Sequence, residues 1–288
     1  MKMEKVGIIP RIDTPKVEQI GRELTAWFAE RGIRAITNAV EPDMDAIIVL
    51  GGDGTLLHVA AEASRHEIPV LGINLGTLGF LTEVAADEMY EVLTVILGDY
   101  YEAKMERRIM LNAAYISGNT GQMSESIHAL NEVVIVKKST EAMIRLRCWV
   151  DEEYVTTYRA DGLIIATPTG STAYNLSAGG PIIHAELESV VLTPVCPFML
   201  TSRPVLLGSD HIITAQLLAP AGQVKVIVDG QLKWTITEND YLVVSKASKP
   251  LILLSSPWTS YFNILRTKLN WGGADEDLPL PAKVGRLC

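Results

Sequence analysis

The stretch IIVLGGDGTLLHVAAEA (residues 47–63) places a carboxylate inside a glycine turn, between an apolar run and a helical pattern. At the start of a helix, the backbone N–H groups of Gly52, Gly54 and Thr55 could hold phosphate oxygens. Asp53 would repel such phosphates unless Mg²⁺ bridges the two groups or the carboxylate accepts the proton of a hydroxyl. Both arrangements belong to phosphoryl transfer. The alternative is that Asp53 only caps the helix that follows.

Two further stretches carry several glycines, GINLGTLGFLTE at 72–83 and RADGLIIATPTGSTAYNLSAGGPI at 159–182. One such motif indicates little, because turns use glycine for its backbone freedom alone. The turn at 51–55 also lacks the lysine of a P-loop and the glycine spacing of a dinucleotide fingerprint. Two of the stretches nevertheless follow strands of one α/β unit, and ligands in open α/β sheets bind beyond the carboxyl ends of the strands.

The stretch at 159–182 is rich in hydroxyl groups that could bind the hydroxyls of a sugar or a purine. An ordinary long loop has a similar composition. The pair Asn131 and Glu132 could bind a ribose diol, or could simply begin a strand. The hydroxyl-bearing residues of the long stretch are Thr167, Thr169, Ser171, Thr172, Tyr174 and Ser177.

Over about residues 1–100, predicted strands alternate with helical patterns. The apolar runs KVGIIP, IRAIT, MDAIIVL and IPVLGIN predict four strands. Helical spacing follows the first and the third run, and recurs near 86–98. This alternation predicts parallel βαβ units, and therefore an α/β nucleotide-binding domain over 1–100.

From about residue 101 to 264, short runs rich in Val, Ile, Tyr and Thr are separated by turn residues. This pattern predicts a β-rich domain with antiparallel strands. The segment SYFNILRTKLNW (260–271) predicts a last helix or strand, and we expect 265–288 to dock back on the first domain. The acidic end of the chain is expected to be a solvated tail.

Composition excludes several classes of protein. A chain of 288 residues is long enough for two domains, and a net charge of −9 argues against a nucleic-acid partner. No apolar run approaches the roughly 18 residues needed to span a membrane. Three widely spaced cysteines argue against a disulfide framework, so a reducing cytoplasm is the expected location. The five histidines form no recognisable cluster, and the sequence does not identify metal ligands.

The motifs resemble those of the NAD kinases, which make NADP by phosphorylating the adenosine-ribose 2′-hydroxyl. The matching motifs, from about residue 45 to 231, are GGDGT, GINLGTLGFL, NEVVI, DGLIIATPTGSTAYNLSAGGPI, LTPVCP and VDGQ. Lipid kinases and phosphofructokinases share GGDGT, whereas TPTGSTAYNLSAGGP is far more specific. The resemblance implies a Rossmann-like N-terminal domain, a β-sandwich-like C-terminal domain and a site between them. It also implies NAD as acceptor, ATP or inorganic polyphosphate as donor, and Mg²⁺ or another divalent ion.

The resemblance implies roles for individual residues. Asp53 matches the aspartate that activates the 2′-hydroxyl, and Asn131 and Glu132 match a pair near the acceptor ribose. Arg159 occupies a position that varies among related enzymes, where arginine accompanies a preference for NAD over NADH in some. The other residues implied in binding are Gly52, Gly54, Thr55, Phe80, Asp161, Thr172, Ala173, Tyr174, Asn175, Leu176, Ser177 and Gln231.

Family members are usually dimers or tetramers, so we expect a homodimer or homotetramer. Two positions depart from the family pattern, because Phe198 stands where histidine is common and Ser189 where alanine is common. Two other functions stay open. A lipid kinase would share GGDGT, although the hydroxyl-rich stretch argues against it. A catalytically inactive NAD-sensing module is the other, although the intact Asp53 argues against that.

Overall fold

The structure is a computed structural model that describes residues 3–12, 15–98, 105–138, 142–220 and 222–271. Its helices are α1 (Pro15–Ala29), α2 (Asp53–His66), α3 (Met89–Leu97), α4 (Tyr174–Ser177) and α5 (Tyr261–Leu269). Its strands are β1 (Lys5–Pro10), β2 (Arg34–Thr37), β3 (Ala46–Leu50), β4 (Val70–Asn74), β5 (Val84–Ala85), β6 (Met105–Arg108), β7 (Leu111–Ile116), β8 (Ile127–Ala129), β9 (Glu132–Lys137), β10 (Ile144–Val150), β11 (Glu153–Ala160), β12 (Gly162–Ala166), β13 (Ser189–Val195), β14 (Val205–Gly208), β15 (Ile213–Leu218), β16 (Val224–Val228), β17 (Gln231–Ile236), β18 (Tyr241–Lys246) and β19 (Leu251–Leu254).

The first sheet has seven strands in the order β2-β1-β3-β4-β19-β6, with β5 paired to the end of β4. Its strands run parallel except β6, which pairs antiparallel with β19. Helices α1 and α3 pack on one face and α2 on the other. Because both faces are covered, every residue of β3 is buried, which is why its sequence is the unbroken apolar run AIIVL.

The second part of the chain is a sandwich of two six-stranded antiparallel sheets. Their strand orders are β11-β10-β15-β18-β7-β8 and β14-β13-β12-β9-β16-β17. Buried residues alternate with partly exposed ones along β15 and β16, as expected for strands with one face on a core. One apolar cluster, which includes Leu146 and Leu163, fills the space between the two sheets.

The structure confirms the predicted fold class, an α/β N-terminal part followed by an all-β sandwich. It differs from the predicted boundary at two short strands. Both β6 and β19 fall within the range 101–264 assigned to the β-rich domain, yet they are hydrogen-bonded into the first sheet. Segment 260–271 forms α5, and the tail at 272–288 lies outside the described residues.

In the described part of the chain, no helix is both long enough and apolar enough to cross a membrane.

Replacing Leu146 by alanine should destabilise the sandwich by about 2–5 kcal/mol, because the side chain is fully buried between the sheets and the cavity cannot collapse completely. Urea unfolding followed by circular dichroism measures the change. Leu232, which is 56% exposed, provides the matched control. Equal unfolding midpoints for the Leu146→Ala and Leu232→Ala proteins would contradict the assignment of this core.

Candidate active site

The GGDGT turn lies at the carboxyl end of β3 and leads directly into α2. Gly51 permits this turn, because a Cβ atom there would lie 2.5 Å from Oγ1 of Thr55 and 3.2 Å from the Cβ of Arg11. Gly52 and Gly54 differ from it, since no atom lies within 4 Å of where their Cβ atoms would be. The space beside Gly52 and Gly54 is therefore free at the start of a 14-residue helix.

The Asp53 carboxylate does not cap its own helix. Gly52 is the N-cap residue and makes no side-chain capping bond. The carboxylate instead accepts hydrogen bonds from the backbone of the loop after β4. Its Oδ2 accepts from Phe80 N at 2.8 Å, and its Oδ1 accepts from the backbone N of Leu81 and of Thr82, each at 3.0 Å. The capping alternative is therefore wrong for this aspartate.

A compact network holds this loop against Asp53. The Thr82 hydroxyl also donates to Oδ1 of Asp53, at 2.9 Å, and accepts from the Asn74 amide at 3.0 Å. Gly79 is required at its position, because a Cβ atom there would lie 2.1 Å from the same Asp53 oxygen. Oδ1 thus carries three hydrogen bonds and Oδ2 one, which leaves Oδ2 able to accept another hydrogen.

The segment at 130–132 is held by a second aspartate in a similar way. Asp229 Oδ2 accepts from Leu130 N at 2.7 Å, and Oδ1 accepts from Asn131 N at 2.8 Å and Glu132 N at 3.0 Å. Asp229 begins a turn in which it and Gly230 both have positive φ. The VDGQ motif is visible in the sequence, but the role of Asp229 was not predicted from it, although an Asp-Gly pair between two strands indicates such a turn.

Glu132 is a buried carboxyl group whose Oε2 has no hydrogen-bond partner among the described residues. Burial, with a smaller contribution from the charge of Asp229, raises the pKa of Glu132 to about 8. Unpartnered buried oxygens are rare in folded proteins. This oxygen is therefore a candidate acceptor for a ligand hydroxyl.

The hydroxyl-rich stretch packs directly on the 130–132 segment. Thr167 donates its backbone N–H to Asn131 O at 2.9 Å and its hydroxyl to Leu130 O at 2.5 Å. A Cβ atom on Gly170 would lie 2.1 Å from Asn131 O, so only glycine allows this approach. A 3₁₀ turn at Thr169–Thr172 follows, and Thr172 lines a small cleft together with Phe80.

Within this stretch, Asn175 is fully buried and its side chain serves the loop itself. Its Nδ2 donates to Ser171 O and Pro181 O, each at 3.0 Å, and its Oδ1 accepts from the Thr193 hydroxyl at 2.6 Å. Its neighbours are more accessible: Tyr174 and Ser177 are exposed, whereas Thr172, Ala173 and Leu176 are half-buried. The side chain of Asn175 thus shapes the loop from inside.

Gln231 connects the sandwich to the first sheet. Its Nε2 lies 2.7 Å from Nδ1 of His58 on α2, and its Oε1 accepts from Lys233 at 2.7 Å. The apolar cluster beside α2 also contains Leu130 from the sandwich. The described structure therefore brings the turn at 52–55, Phe80, the pair at 131–132, Thr172 and Gln231 to one junction between the two parts of the chain.

Arg159 and Asp161 make contacts elsewhere. Arg159 is exposed, and its guanidinium lies 4.8 Å from the ring centre of Phe198, while Asp161 pairs with Lys137 at 2.6 Å. In the residues described, neither makes a hydrogen bond or ion pair to the GGDGT turn. Ser189, the other departure from the family pattern, has a buried hydroxyl with no hydrogen-bond partner among the described residues.

No group of three or more His, Cys, Asp or Glu side chains within the described ranges is arranged to hold a metal ion. This is compatible with Mg²⁺, which is usually held by one or two carboxylates together with substrate phosphates and water.

Comparison with known proteins identifies the family. Residues 14–101 match the family described as ATP-NAD kinase N-terminal domain, and 130–255 match the ATP-NAD kinase C-terminal domain. An NAD kinase of Geotalea daltonii is 40% identical over 290 residues, covering 94% of this chain and 99% of the relative. One from Solibacter usitatus is 39% identical over 287 residues, with 94% and 98% coverage.

Two solved structures share the fold. A yeast NADH kinase complexed with NADH aligns with a TM-score of 0.85 at 22% identity, covering 96% of this chain and 90% of that one. An NAD kinase from Archaeoglobus fulgidus in complex with ATP aligns with a TM-score of 0.75 at 24% identity, covering 93% and 100%.

The family matches and the relatives therefore define a kinase, a phosphotransferase. Within that class, the chain belongs to the NAD kinase family, and NAD kinase is its activity.

Replacing Gly79 by alanine should lower kcat by at least about tenfold, because the new Cβ atom would displace the Asp53 carboxylate from the loop. Steady-state NADP formation measures the effect. Gly76→Ala is the matched control in the same loop, since its Cβ atom would come no closer than 3.8 Å to any neighbour. Equal kcat values for the two variants would show that the close approach of Gly79 to the Asp53 carboxylate does not matter for turnover.

Glu132 should make folding stability depend on pH. The neutral, buried Glu132 contributes to the free energy of unfolding. This contribution is present in full below about pH 4.3, the ordinary pKa of glutamate, and is lost as the pH rises through about 8. Relative to Glu132→Gln, the wild-type protein should lose about 2–4 kcal/mol between about pH 5 and about pH 9. Urea unfolding of both proteins at each pH measures this.

The titration of Glu83 does not affect the stability difference between wild type and Glu132→Gln. Burial raises its pKa to about 7, but it titrates in both proteins and cancels in the difference. Stability curves for wild type and Glu132→Gln that stay parallel from acid to alkaline pH would contradict the buried neutral state of Glu132.

Proposed function

We propose that the protein transfers the γ-phosphoryl group of ATP to the adenosine-ribose 2′-hydroxyl of NAD, with Asp53 as the catalytic residue. The observation that carries this proposal is the uneven hydrogen bonding of the Asp53 carboxylate. Oδ1 accepts three hydrogen bonds from the loop at 79–82, whereas Oδ2 accepts one. The carboxylate is thereby held in place, with Oδ2 left to accept the hydrogen of a substrate hydroxyl.

In the proposed step, the 2′-hydroxyl donates a hydrogen bond to Asp53 Oδ2 and its oxygen attacks the γ-phosphorus. A new P–O bond forms to the ribose, the bond between the γ-phosphorus and the bridging oxygen of ADP breaks, and the hydroxyl proton passes to the carboxylate. Positioning and charge stabilisation supply most of the catalysis in such transfers. The rigid attachment of Asp53 to the loop serves that positioning.

The donor is proposed to lie in the cavity beside the GGDGT turn. This cavity has a volume of about 840 Å³, and Gly52, Gly54 and Thr55 are among its lining residues. That size is within the usual range for small-molecule sites. The start of α2 favours an anion there, because no side chain caps it and the first N–H groups of a helix generally lack i−4 partners, although the Thr55 N–H donates to Gly52 O at 2.9 Å. Polyphosphate, which has the same phosphate chain, stays an alternative donor.

NAD is proposed to bind across the junction of the two parts, near Asn131 and Glu132. The unpartnered Glu132 Oε2 supports a contact with a ribose hydroxyl. The further residues proposed for dinucleotide contacts are Phe80, Arg159, Asp161, Thr172, Ala173, Tyr174, Asn175, Leu176, Ser177 and Gln231. For the buried Asn175, the proposed contribution is through its backbone and through the shape of the loop.

A divalent ion is proposed to arrive with the donor phosphates, and no side chain of the described residues is assigned as its ligand. Mg²⁺ would supply neutralisation of the phosphate charge. Asp53 itself would hold the acceptor hydroxyl, and the backbone N–H groups of the turn would hold phosphate oxygens.

We also propose a homodimer or homotetramer in the cytoplasm, consistent with the family resemblance. Phe198, Met199 and Leu200 are 60%, 54% and 89% exposed and form an apolar surface that a second copy could cover. Light scattering coupled to size exclusion measures the assembly. A monomer at micromolar concentration would contradict the proposed oligomer.

Asp53→Asn should lower kcat for NADP formation by at least about a hundredfold while leaving the NAD affinity almost unchanged, because the amide oxygen can keep the three hydrogen bonds of Oδ1, losing only the acceptor for Phe80 N, but the amide cannot accept the proton. A coupled NADP assay and calorimetric binding of NAD measure the two effects. Asp87→Asn, at an exposed position, is the control.

Unchanged turnover in the Asp53→Asn protein would remove the proposed role of this residue. Offering diacylglycerol and NAD separately as acceptors tests the choice of acceptor. Phosphorylation of the lipid but not of NAD would contradict the proposed reaction.

A further inference from the structure

Among the described residues that line the cavity beside the GGDGT turn, Arg11 has the one permanently positive side chain. His58, another lining residue, has its Nδ1 hydrogen-bonded to Gln231. The protein carries a net charge of −9, so a highly charged anion needs a local cation to enter. Asp53 is absent from the cavity lining and directs its carboxylate to the loop at 80–82.

Arg11 is held at the edge of the turn by its backbone. It directly follows β1, and its N–H donates to Leu50 O at 2.8 Å, at the end of the neighbouring β3. Its Cβ lies 3.2 Å from where Gly51 would carry a side chain. The backbone of Arg11 is therefore fixed next to Gly52 and Gly54, whose Cβ positions are unobstructed.

The Arg11 guanidinium has no ion pair and no hydrogen bond in the part of the chain that the structure describes, and the residue is exposed. Lys5, at the other end of β1, differs, since it pairs with Glu41 and Asp43. An arginine next to a cavity and an uncapped helix start has the chemistry of a phosphate ligand, because its planar fork can bind two phosphate oxygens at once.

We propose that Arg11 binds the phosphoanhydride chain of the donor, the feature that ATP and polyphosphate share. This inference rests on the proposed placement of the donor in the cavity. The guanidinium and the backbone N–H groups at the start of α2 contact the chain, while Asp53 holds the acceptor hydroxyl. Arg11 thus determines donor affinity and has no contact with NAD.

The test compares Arg11→Gln and Arg11→Lys with wild type in NADP-formation assays, with ATP and polyphosphate offered as donors in separate arms. Arg11→Gln should raise the donor KM roughly tenfold to a hundredfold, as expected for loss of a charge-assisted hydrogen bond, for each donor that wild type uses. The KM for NAD should stay within about twofold. Arg11→Lys, which keeps the charge but loses the fork, should give an intermediate donor KM.

Arg145→Gln is the matched control, because it removes one positive charge from an exposed position on β10 of the sandwich and should leave the donor KM unchanged. Thermal unfolding confirms that each variant is folded. An unchanged donor KM in Arg11→Gln, or an equal rise in the KM for NAD, would overturn the inference. Failure of wild type to form NADP from either donor would instead contradict the proposed function.

Discussion

The hydrogen bonds between the Asp53 carboxylate and the backbone at 80–82 are the interaction on which the site depends. They join the turn after β3 to the loop after β4, two neighbouring parallel strands whose ends meet at one edge of the sheet. Gly72 and Gly79 allow the approach, because a Cβ atom on either would lie within 3 Å of this loop or of the carboxylate. A negative side chain is therefore compatible with the phosphate binding proposed for this turn, since its charge is directed toward backbone donors.

In the sandwich, too, an aspartate at the junction accepts hydrogen bonds from successive backbone N–H groups. Asp229 binds three successive N–H groups at 130–132, and burial raises its pKa despite those bonds. Its proximity contributes to the raised pKa of Glu132. Each part of the chain thus presents a loop fixed by one aspartate, and the pair Gln231 and His58 connects the two. Because backbone groups are fixed on both sides, the junction is pre-organised for the ligands proposed to bind there.

The sequence predicted the order of elements and the stretches that form the site, because glycine turns and apolar periodicity are local signals. It did not predict the direction of the Asp53 carboxylate, whose partners lie 27–29 residues away, or the role of Asp229, whose partners lie 97–99 residues away. The short run LILL of β19 is equally compatible with either part of the chain, since a buried strand gives no sign of its neighbour. Asn175 shows a related limit, because composition does not reveal whether a polar side chain faces a ligand or the loop itself.

The most direct measurement is a crystal structure of the wild-type protein with NAD bound, and the quantity is the distance from Asp53 Oδ2 to the adenosine-ribose 2′-oxygen. We expect a distance of about 2.6–3.2 Å, with the bonds from Leu81 and Thr82 to Oδ1 intact. A 2′-oxygen held by another side chain, or lying well beyond hydrogen-bonding distance of both Asp53 oxygens, would contradict it.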